Sequence, residues 1–225
     1  MKREILITSD GSTTIHLPDW DEQYHSKHGA IQEAYHVFLR AGLDKVTVNT
    51  RKLAVLEIGF GTGLNAFITF LEGRKEKLEI EYVGVEAYPV AASEVVQLNY
   101  IEELNASADQ HFFDKMHEIS WEEQQEISEA FKLTKRKQFF QDVADKEAFD
   151  LIYFDAFGAK NQPELWTEAI FLKMYEAIRE NGVLVTYCAK GSARRAMQAV
   201  GFSVERIPGP PGKREMLRAT KKRIA

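Results

Sequence analysis

The chain has one cysteine, Cys188, so it cannot close a disulfide within itself. Cys188 follows Leu184-Val185-Thr186-Tyr187 at an expected strand end, where packing suits a buried thiol better than nucleophilic attack, and a lone thiol fits a reducing cytoplasm. Long apolar runs are missing as well. No uninterrupted stretch reaches membrane length, and the first ten residues hold basic side chains but no apolar leader core, so a soluble, cytoplasmic, unprocessed protein with no membrane contact is expected. Repeats, low-complexity tracts and linkers are also absent, which leaves the 225 residues for one α/β unit with a full core. His25, His28 and His36 have no cysteine and no helical His-Glu pair beside them, so no metal is expected.

Net charge is small but unevenly spread. The net charge is −5, yet between Ala189 and Ala225 ten Lys and Arg face only Glu205 and Glu215, a net of +8 that leaves −13 on the rest. An acidic body with a basic C-terminal sixth suggests a surface that meets an anion, nucleic acid above all; the alternative is a solvated basic tail.

What is present centres on Leu53-Ala54-Val55-Leu56-Glu57-Ile58-Gly59-Phe60-Gly61-Thr62-Gly63-Leu64-Asn65. A buried strand, a tight turn and a helix follow from the apolar run, the three alternate glycines and the amphipathic restart. Backbone amides at the helix start would point at a ligand. A dinucleotide fingerprint places its third glycine where Leu64 stands, so a dinucleotide fits poorly. Glu57 near the strand end suits a cationic ligand and repels a pyrophosphate. S-adenosylmethionine carries a sulfonium and an ammonium, and the motif therefore points to a methyltransferase.

Around this motif the pattern predicts a hairpin at 5–8 and 13–17, a polar loop at 21–29 suited to a lid, and a helix over 30–41. Residues 1–49 form this N-terminal addition and 50–225 the main domain. A helix is expected over 64–71, a second strand over 80–86 and a helix from Pro89 to about 104. A capping-box pattern at Ser120-Trp121-Glu122-Glu123 predicts a helix to about 131, followed by a third strand over 132–140. Strands four to seven are expected at 150–155, 183–188, 202–207 and 215–220, with helices near 166–178 and 190–200. Glu86, ending the second strand, reads either as the acceptor for two ribose hydroxyls or as a surface glutamate. Asp142 reads equally as an acceptor for an adenine amino group or as a loop aspartate. Asp155, at the end of the fourth strand beside the first, is the favoured chemical site, with Phe157 facing the transferable methyl. The stiff, basic Pro208-Gly209-Pro210-Pro211-Gly212-Lys213-Arg214 is too short for a linker and suits a binding loop.

With these residues assembled, the sequence resembles the methyltransferase half of the bifunctional tRNA 5-methylaminomethyl-2-thiouridine biosynthesis enzymes over nearly its whole length. The marks are Tyr24-His25-Ser26, Gly29-Ala30, His36-Val37-Phe38, the glycine stretch, Asp155-Ala156-Phe157, Asn161 to Trp166, and Gly209 followed by Gly212 to Met216. The resemblance implies a class I, Rossmann-like seven-stranded sheet and S-adenosylmethionine-dependent N-methylation of 5-aminomethyl-(2-thio)uridine at the tRNA wobble position. It implies that Glu57, Gly59, Gly61, Gly63, Asn65, Glu86 and Asp142 hold the cofactor and that Asp155 stands by the amine. Tyr24 and Phe157 would pack around the base, and Lys213 and Arg214 would hold phosphates of the anticodon loop. The bifunctional enzymes continue into a flavin-dependent oxidoreductase and this chain ends at Ala225, so methylation alone is expected, with a separate enzyme supplying the aminomethyl group. Ala156 stands where the family has glycine. The rival readings are transfer of a methyl or aminopropyl group to a small free amine, and a cofactor-fold protein that only binds RNA.

Overall fold

The structure, a computed structural model, describes residues 2–47 and 50–223. The expected boundary between 49 and 50 touches Val48 and Asn49, which lie outside the described residues.

At the N-terminus β1 (Glu4–Ile7) pairs antiparallel with β2 (Thr13–Leu17), as the hairpin pattern predicts, and β3 (Glu22–Gln23) adds a third strand within the expected loop. Helix α1 starts at Ala30–Ala34, widens into a π-wound segment, Tyr35–Leu43, and ends in a last turn at Asp44–Val46. Its Ala30, Ala34, Val37, Phe38, Leu39, Ala41 and Leu43 are buried against the main sheet. A Cβ at Gly42 would meet Val185 and Leu151 at 3.0 and 3.2 Å, so the missing side chain lets the helix settle on the strands.

Strand β4 (Lys52–Ile58) leads through the glycine turn into α2 (Leu64–Lys75), and β5 (Glu79–Val85) follows. Next come short turns of helix at Ala92–Val95 and Tyr100–Glu103, where one continuous helix was expected, and then α3 (Gln110–Glu118). The helix predicted from Ser120 does not form. Ser120 Oγ does contact Glu123 Oε2 at 3.0 Å, but Glu122 takes φ 71° and the chain turns into a hairpin, β6 (Gln124–Ser128) with β7 (Phe131–Arg136). Only Trp121, Ile127 and Phe131 are large apolar residues there, too few for a helical stripe, whereas alternation buries Ile127, Phe131 and Leu133 on one face.

Strand β8 (Phe149–Phe154) precedes α4 (Glu168–Ala177), and β9 (Ile178–Thr186) starts directly at the helix end, with a register shift that absorbs the residues before Val183. Helix α5 (Gly191–Ala199), β10 (Ser203–Pro208) and β11 (Glu215–Thr220) complete the chain. The main sheet runs β10-β11-β9-β8-β4-β5-β7-β6. It has eight strands where seven were expected, because β6 replaces the predicted helix. Strands β4, β5, β7, β8 and β9 are parallel, and β6 and β11 run against their neighbours. The chain order reverses between β4 and β8, so a crevice opens beyond the carboxyl ends of these two strands, the place where doubly wound sheets bind ligands.

Both faces of β4 are covered. Val55 joins the apolar cluster under α1 and α2, and Leu56 and Ile58 join the one under α4 and α5, where Trp166, Ile170, Met174 and Ile178 are all buried as their spacing predicts. Cys188 is buried in the same layer. Gly84 on β5 lies where any Cβ would collide with the Phe60 ring of the glycine turn. Gly84→Val is expected to cost roughly 1–3 kcal/mol in urea unfolding by forcing Phe60 out of place. A variant of wild-type stability would show that the turn tolerates the displaced ring.

Candidate active site

The glycine turn owes its shape to backbone that only glycine adopts easily. Gly59, Gly61 and Gly63 have φ of 93°, 49° and 73°. A Cβ on Gly59 would stand 2.6 Å from the Asp155 carbonyl oxygen, and one on Gly61 would stand 3.1 Å from the Tyr24 ring. The amides of Gly59 and Phe60 both donate to the Val85 carbonyl, which draws the turn over the end of β5. Gly61 N donates to Glu86 Oε2 at 3.0 Å, and Tyr88 N donates to Oε1 at 2.9 Å. Glu86 thus holds two loops together, with its carboxylate at the cavity wall.

The cavity has a volume of about 1020 Å³ and lies between the carboxyl edge of the sheet and the N-terminal strands and loop. Gly59, Gly61, Asn65, Glu86, Asp155, Phe157, Tyr24 and Lys213 all line it. Four expected residues do not. Glu57 is fully buried beneath the turn, on the face of β4 opposite Leu56 and Ile58, and accepts from Asn65 Nδ2 and Tyr82 OH, each at 2.9 Å. It therefore supports Asn65 and does not itself reach the cavity. Gly63 sits behind the turn as the residue before α2, packed on His117. Asp142 closes a short helical turn, Phe140–Asp142, that points it to solvent, and Gln141 lines the wall in its place. Arg214 is exposed and lies outside the lining.

Asn65 connects the two acids at the heart of the site. Its Nδ2 donates to Glu57 Oε1 and to Asp155 Oδ2, both at 2.9 Å, while its Oδ1 is buried with no partner. Burial pushes the Glu57 carboxyl well above the ordinary range, and the Asp155 charge adds to this against the hydrogen bonds from Asn65 and Tyr82. Burial likewise pushes Asp155 up, to about 7; the Glu33 carboxylate adds to the rise, and the Asn65 hydrogen bond and the Lys213 charge oppose it. An aspartate poised there exchanges a proton near neutrality.

The end of the cavity around Asp155 is aromatic and acidic. Phe157 meets Tyr24 and Trp20 edge to face, with ring centroids 5.0 and 5.8 Å apart. The Trp166 indole fixes the Phe157 backbone by donating to its carbonyl at 2.8 Å. Glu22, Glu33 and Glu164 also line the cavity. At the other end Arg3 donates to the Tyr88 carbonyl at 2.8 Å and to Glu94 at 3.0 Å, and lies 5.7 Å from the Tyr24 ring, so β1 is tied across the opening. Tyr88 and Phe139 form an exposed aromatic pair beside it.

Glu33, Tyr187, Trp20 and Arg3 are site residues that the motifs did not single out. Glu33 carries a signal, since it is a carboxylate on the same helix face as Ala30, Ala34 and Val37, and Tyr187 sits at the carboxyl end of β9 where a site residue is expected. The histidines serve packing. His25 is held down to about 4 by burial and contacts Thr14, His36 contacts the Pro208 carbonyl at 2.9 Å, and His28 packs on Gly212. Among the described residues no group of three or more His, Cys, Asp or Glu is placed to hold a metal, and no helix is long and apolar enough to cross a membrane. Five of the ten C-terminal cations are paired within the fold: Lys213 with Glu33, Arg206 with Glu215, Arg218 with Glu205, Lys221 with Glu147, and Arg223 with Glu180.

Residues 99–222 match the model of a family of S-adenosyl-L-methionine-dependent methyltransferases. The chain belongs to that family. This methyltransferase is 28% identical over 95% of its length to a tRNA 5-methylaminomethyl-2-thiouridine biosynthesis bifunctional protein, MnmC, of Cupriavidus metallidurans, and 30% identical, again over 95%, to the protein of that name from Burkholderia thailandensis. It spans about a third of each relative, 33% and 34%. The crystal structure of MnmC2 from Aquifex aeolicus superposes with a TM-score of 0.78 at 26% identity, covering 98% of this chain and 70% of that one. Spermidine synthase from Thermotoga maritima, at 14% identity and a TM-score of 0.52 over 100% of this chain and 73% of that one, shares the fold alone. The cofactor is S-adenosylmethionine, and the class I methyltransferase fold expected from the sequence is the one observed, with one strand more.

The buried acids make stability depend on pH. Burial makes the fold hold a proton on Glu57 more tightly than the unfolded chain, whose carboxyl releases it near 4.5, so this contribution to stability declines as pH rises above that value. Scanning calorimetry is expected to show the thermal midpoint falling between pH 5 and 8, and a smaller fall in Glu57→Gln. An unchanged slope in the variant would mean that Glu57 is ionised in the fold.

Proposed function

We propose that this methyltransferase methylates the side-chain amine of 5-aminomethyl-(2-thio)uridine at the wobble position of tRNA, giving 5-methylaminomethyl-(2-thio)uridine. The observation that carries the reading is Asp155, a near-neutral carboxyl group at the cavity wall among aromatic rings and further acids, in a chain similar over 95% of its length to proteins named for this modification.

The residues present fit the cofactor. The unpartnered Asn65 Oδ1 is an acceptor for an ammonium group, Glu86 retains lone pairs for ribose hydroxyls, and the bare Gly59 and Gly61 leave room for close approach. Gln141 and Phe140 would border the adenine. Bound S-adenosylmethionine would supply a methyl carbon activated by a sulfonium.

The protein's own work is to position the amine and free its lone pair. An alkylamine with a pKa of roughly 10 is protonated at neutral pH. In its ionised form Asp155 accepts hydrogen bonds from that ammonium and takes its proton, while Asn65 keeps the carboxylate oriented. Phe157, Tyr24 and Trp20 receive the flat base, which a single-stranded anticodon loop can splay out at little cost. The loop at 21–29 acts as a lid between the N-terminal addition, 1–49, and the main domain. Arg214, with other cations of the C-terminal segment, meets the phosphates. We place the enzyme in the cytoplasm, downstream of a separate enzyme that supplies the aminomethyl group.

Incubation with labelled S-adenosylmethionine and undermodified tRNA, followed by digestion and mass spectrometry, is expected to show one added methyl on the wobble aminomethyluridine. Label confined to free polyamines would sink this reading. Turnover is expected to rise with pH to a plateau with its midpoint near 7, the value at which Asp155 loses its proton. Asp155→Asn should lower turnover about 10²- to 10⁴-fold while cofactor affinity and thermal stability at pH 7 persist. Full activity in that variant would remove Asp155 from the chemistry.

A further inference from the structure

We propose that Glu33, Lys213 and Tyr187 are positioning residues that fix the acceptor end of the cavity around Asp155, and that Lys213 serves this purpose in place of gripping RNA phosphates. The inference rests on reading Asp155 as the group that receives the amine proton. Its support is a chain of contacts across three distant parts of the sequence. Lys213 Nζ stands 2.7 Å from Glu33 Oε1 and 3.9 Å from the centre of the Tyr187 ring. Glu33 Oε2 accepts from Ser26 N at 2.8 Å, so both oxygens of this buried carboxylate are engaged, one by the lid loop and one by the basic loop. Tyr187 OH donates to the Ala156 carbonyl at 2.8 Å and thereby holds the backbone next to Asp155. All four side chains, Glu33, Lys213, Tyr187 and Asp155, line the same cavity.

The loop that carries Lys213 is seated, which argues against a role as a mobile phosphate ligand. Gly209 N donates to the Arg214 carbonyl at 3.2 Å and Lys213 N to the Pro210 carbonyl at 2.9 Å. His36 contacts the Pro208 carbonyl, and His28 fills the space over Gly212. The ammonium is therefore delivered to a fixed place facing inward. Arg3, paired with Glu94 at the opposite end, and Lys27, next to Ser26 on the loop at 21–29, also line the cavity, and Lys213 stands among several acids. Glu33 comes from α1, Glu22 from β3, Glu164 from the turn Pro163–Trp166, Glu57 and Tyr82 from β4 and β5 beneath Asn65, Glu86 from beyond β5, and Tyr187 from the end of β9. Glu22 is itself held there by Asn161 Nδ2 at 2.7 Å. Glu33 and Lys213 act on Asp155 with opposite sign, the carboxylate favouring its neutral form and the ammonium its charged form. The pair thus sets both the shape of the acceptor end and the pH at which it works.

The test is the titration of Asp155 by carboxyl ¹³C NMR in the free enzyme, which needs no substrate, alongside pH–rate profiles and the salt dependence of tRNA binding. Lys213→Met is expected to move the Asp155 midpoint up by roughly one pH unit. It should lower turnover at pH 7 about five-fold, recover at pH 9, and leave the salt slope of binding unchanged. Glu33→Gln is expected to move the midpoint down, and Lys213→Arg to restore most of the wild-type profile. If Lys213→Met instead lowers the salt slope by about one with the midpoint unmoved, Lys213 is a phosphate ligand and the proposal fails. If the wild-type enzyme does not methylate tRNA yet the two midpoints still split, the acceptor reading has failed and the positioning role stands. Midpoints that do not move refute the positioning role whatever the substrate.

Discussion

The side-chain amide of Asn65 is the contact on which the rest of the site depends. One nitrogen donates to a carboxyl group in the core and to another at the cavity wall, so the start of α2, the end of β4 and the end of β8 are held in one register. Two acids this close would repel if both were ionised. Burial relieves that conflict by favouring a neutral Glu57, against the pull of the hydrogen bonds from Asn65 and Tyr82. The glycine turn can then curl over the carboxyl edge with its amides committed to Val85 and Glu86, and Asp155 is left as the acid in contact with the cavity that responds to pH near neutrality.

The walls of the cavity divide the work by chemistry. The turn and Glu86 line one end with close backbone and a carboxylate, while the far end is lined by rings and acids. The N-terminal strands cover both ends, tied down by Arg3 at one and by Glu33 through Ser26 at the other. The charge asymmetry of the sequence is smaller in the fold than along the chain, since Lys213, Lys221 and Arg223 pair with Glu33, Glu147 and Glu180 from earlier segments, while Arg206 and Arg218 pair with Glu215 and Glu205 inside the C-terminal segment. Long-range pairing of this kind turns a basic segment partly into mortar.

How much of this was legible in the sequence depends on whether the cause was local. Three alternate glycines after an apolar run admit few conformations, so the strand, turn and helix around Gly59 were readable, as was β11, bounded by the Pro-Gly loop before it. The position of Asp155 at the cavity wall was readable because the end of the strand beside the first borders the crevice of this topology. The hairpin at 124–136 was not, because the capping pattern at Ser120 competes with pairing to a strand whose presence depends on the whole sheet. The burial of Glu57 was missed for a related reason. Alternation tells that a side chain lies on one face of β4 but not that Tyr82 and Asn65 will wait for it there. The partnership of Glu33 and Lys213 spans 180 positions and leaves no trace in local spacing.

The last strand, β11, is inserted between β9 and β10 and does not lie at the sheet edge. During synthesis β10 therefore has no neighbour in the sheet until the residues after 214 have left the ribosome, and Lys213 reaches Glu33 only then. A nascent chain halted before Lys213 holds every glycine of the motif yet lacks the cation at the acceptor end of the cavity and the strand that ties β10 to the sheet.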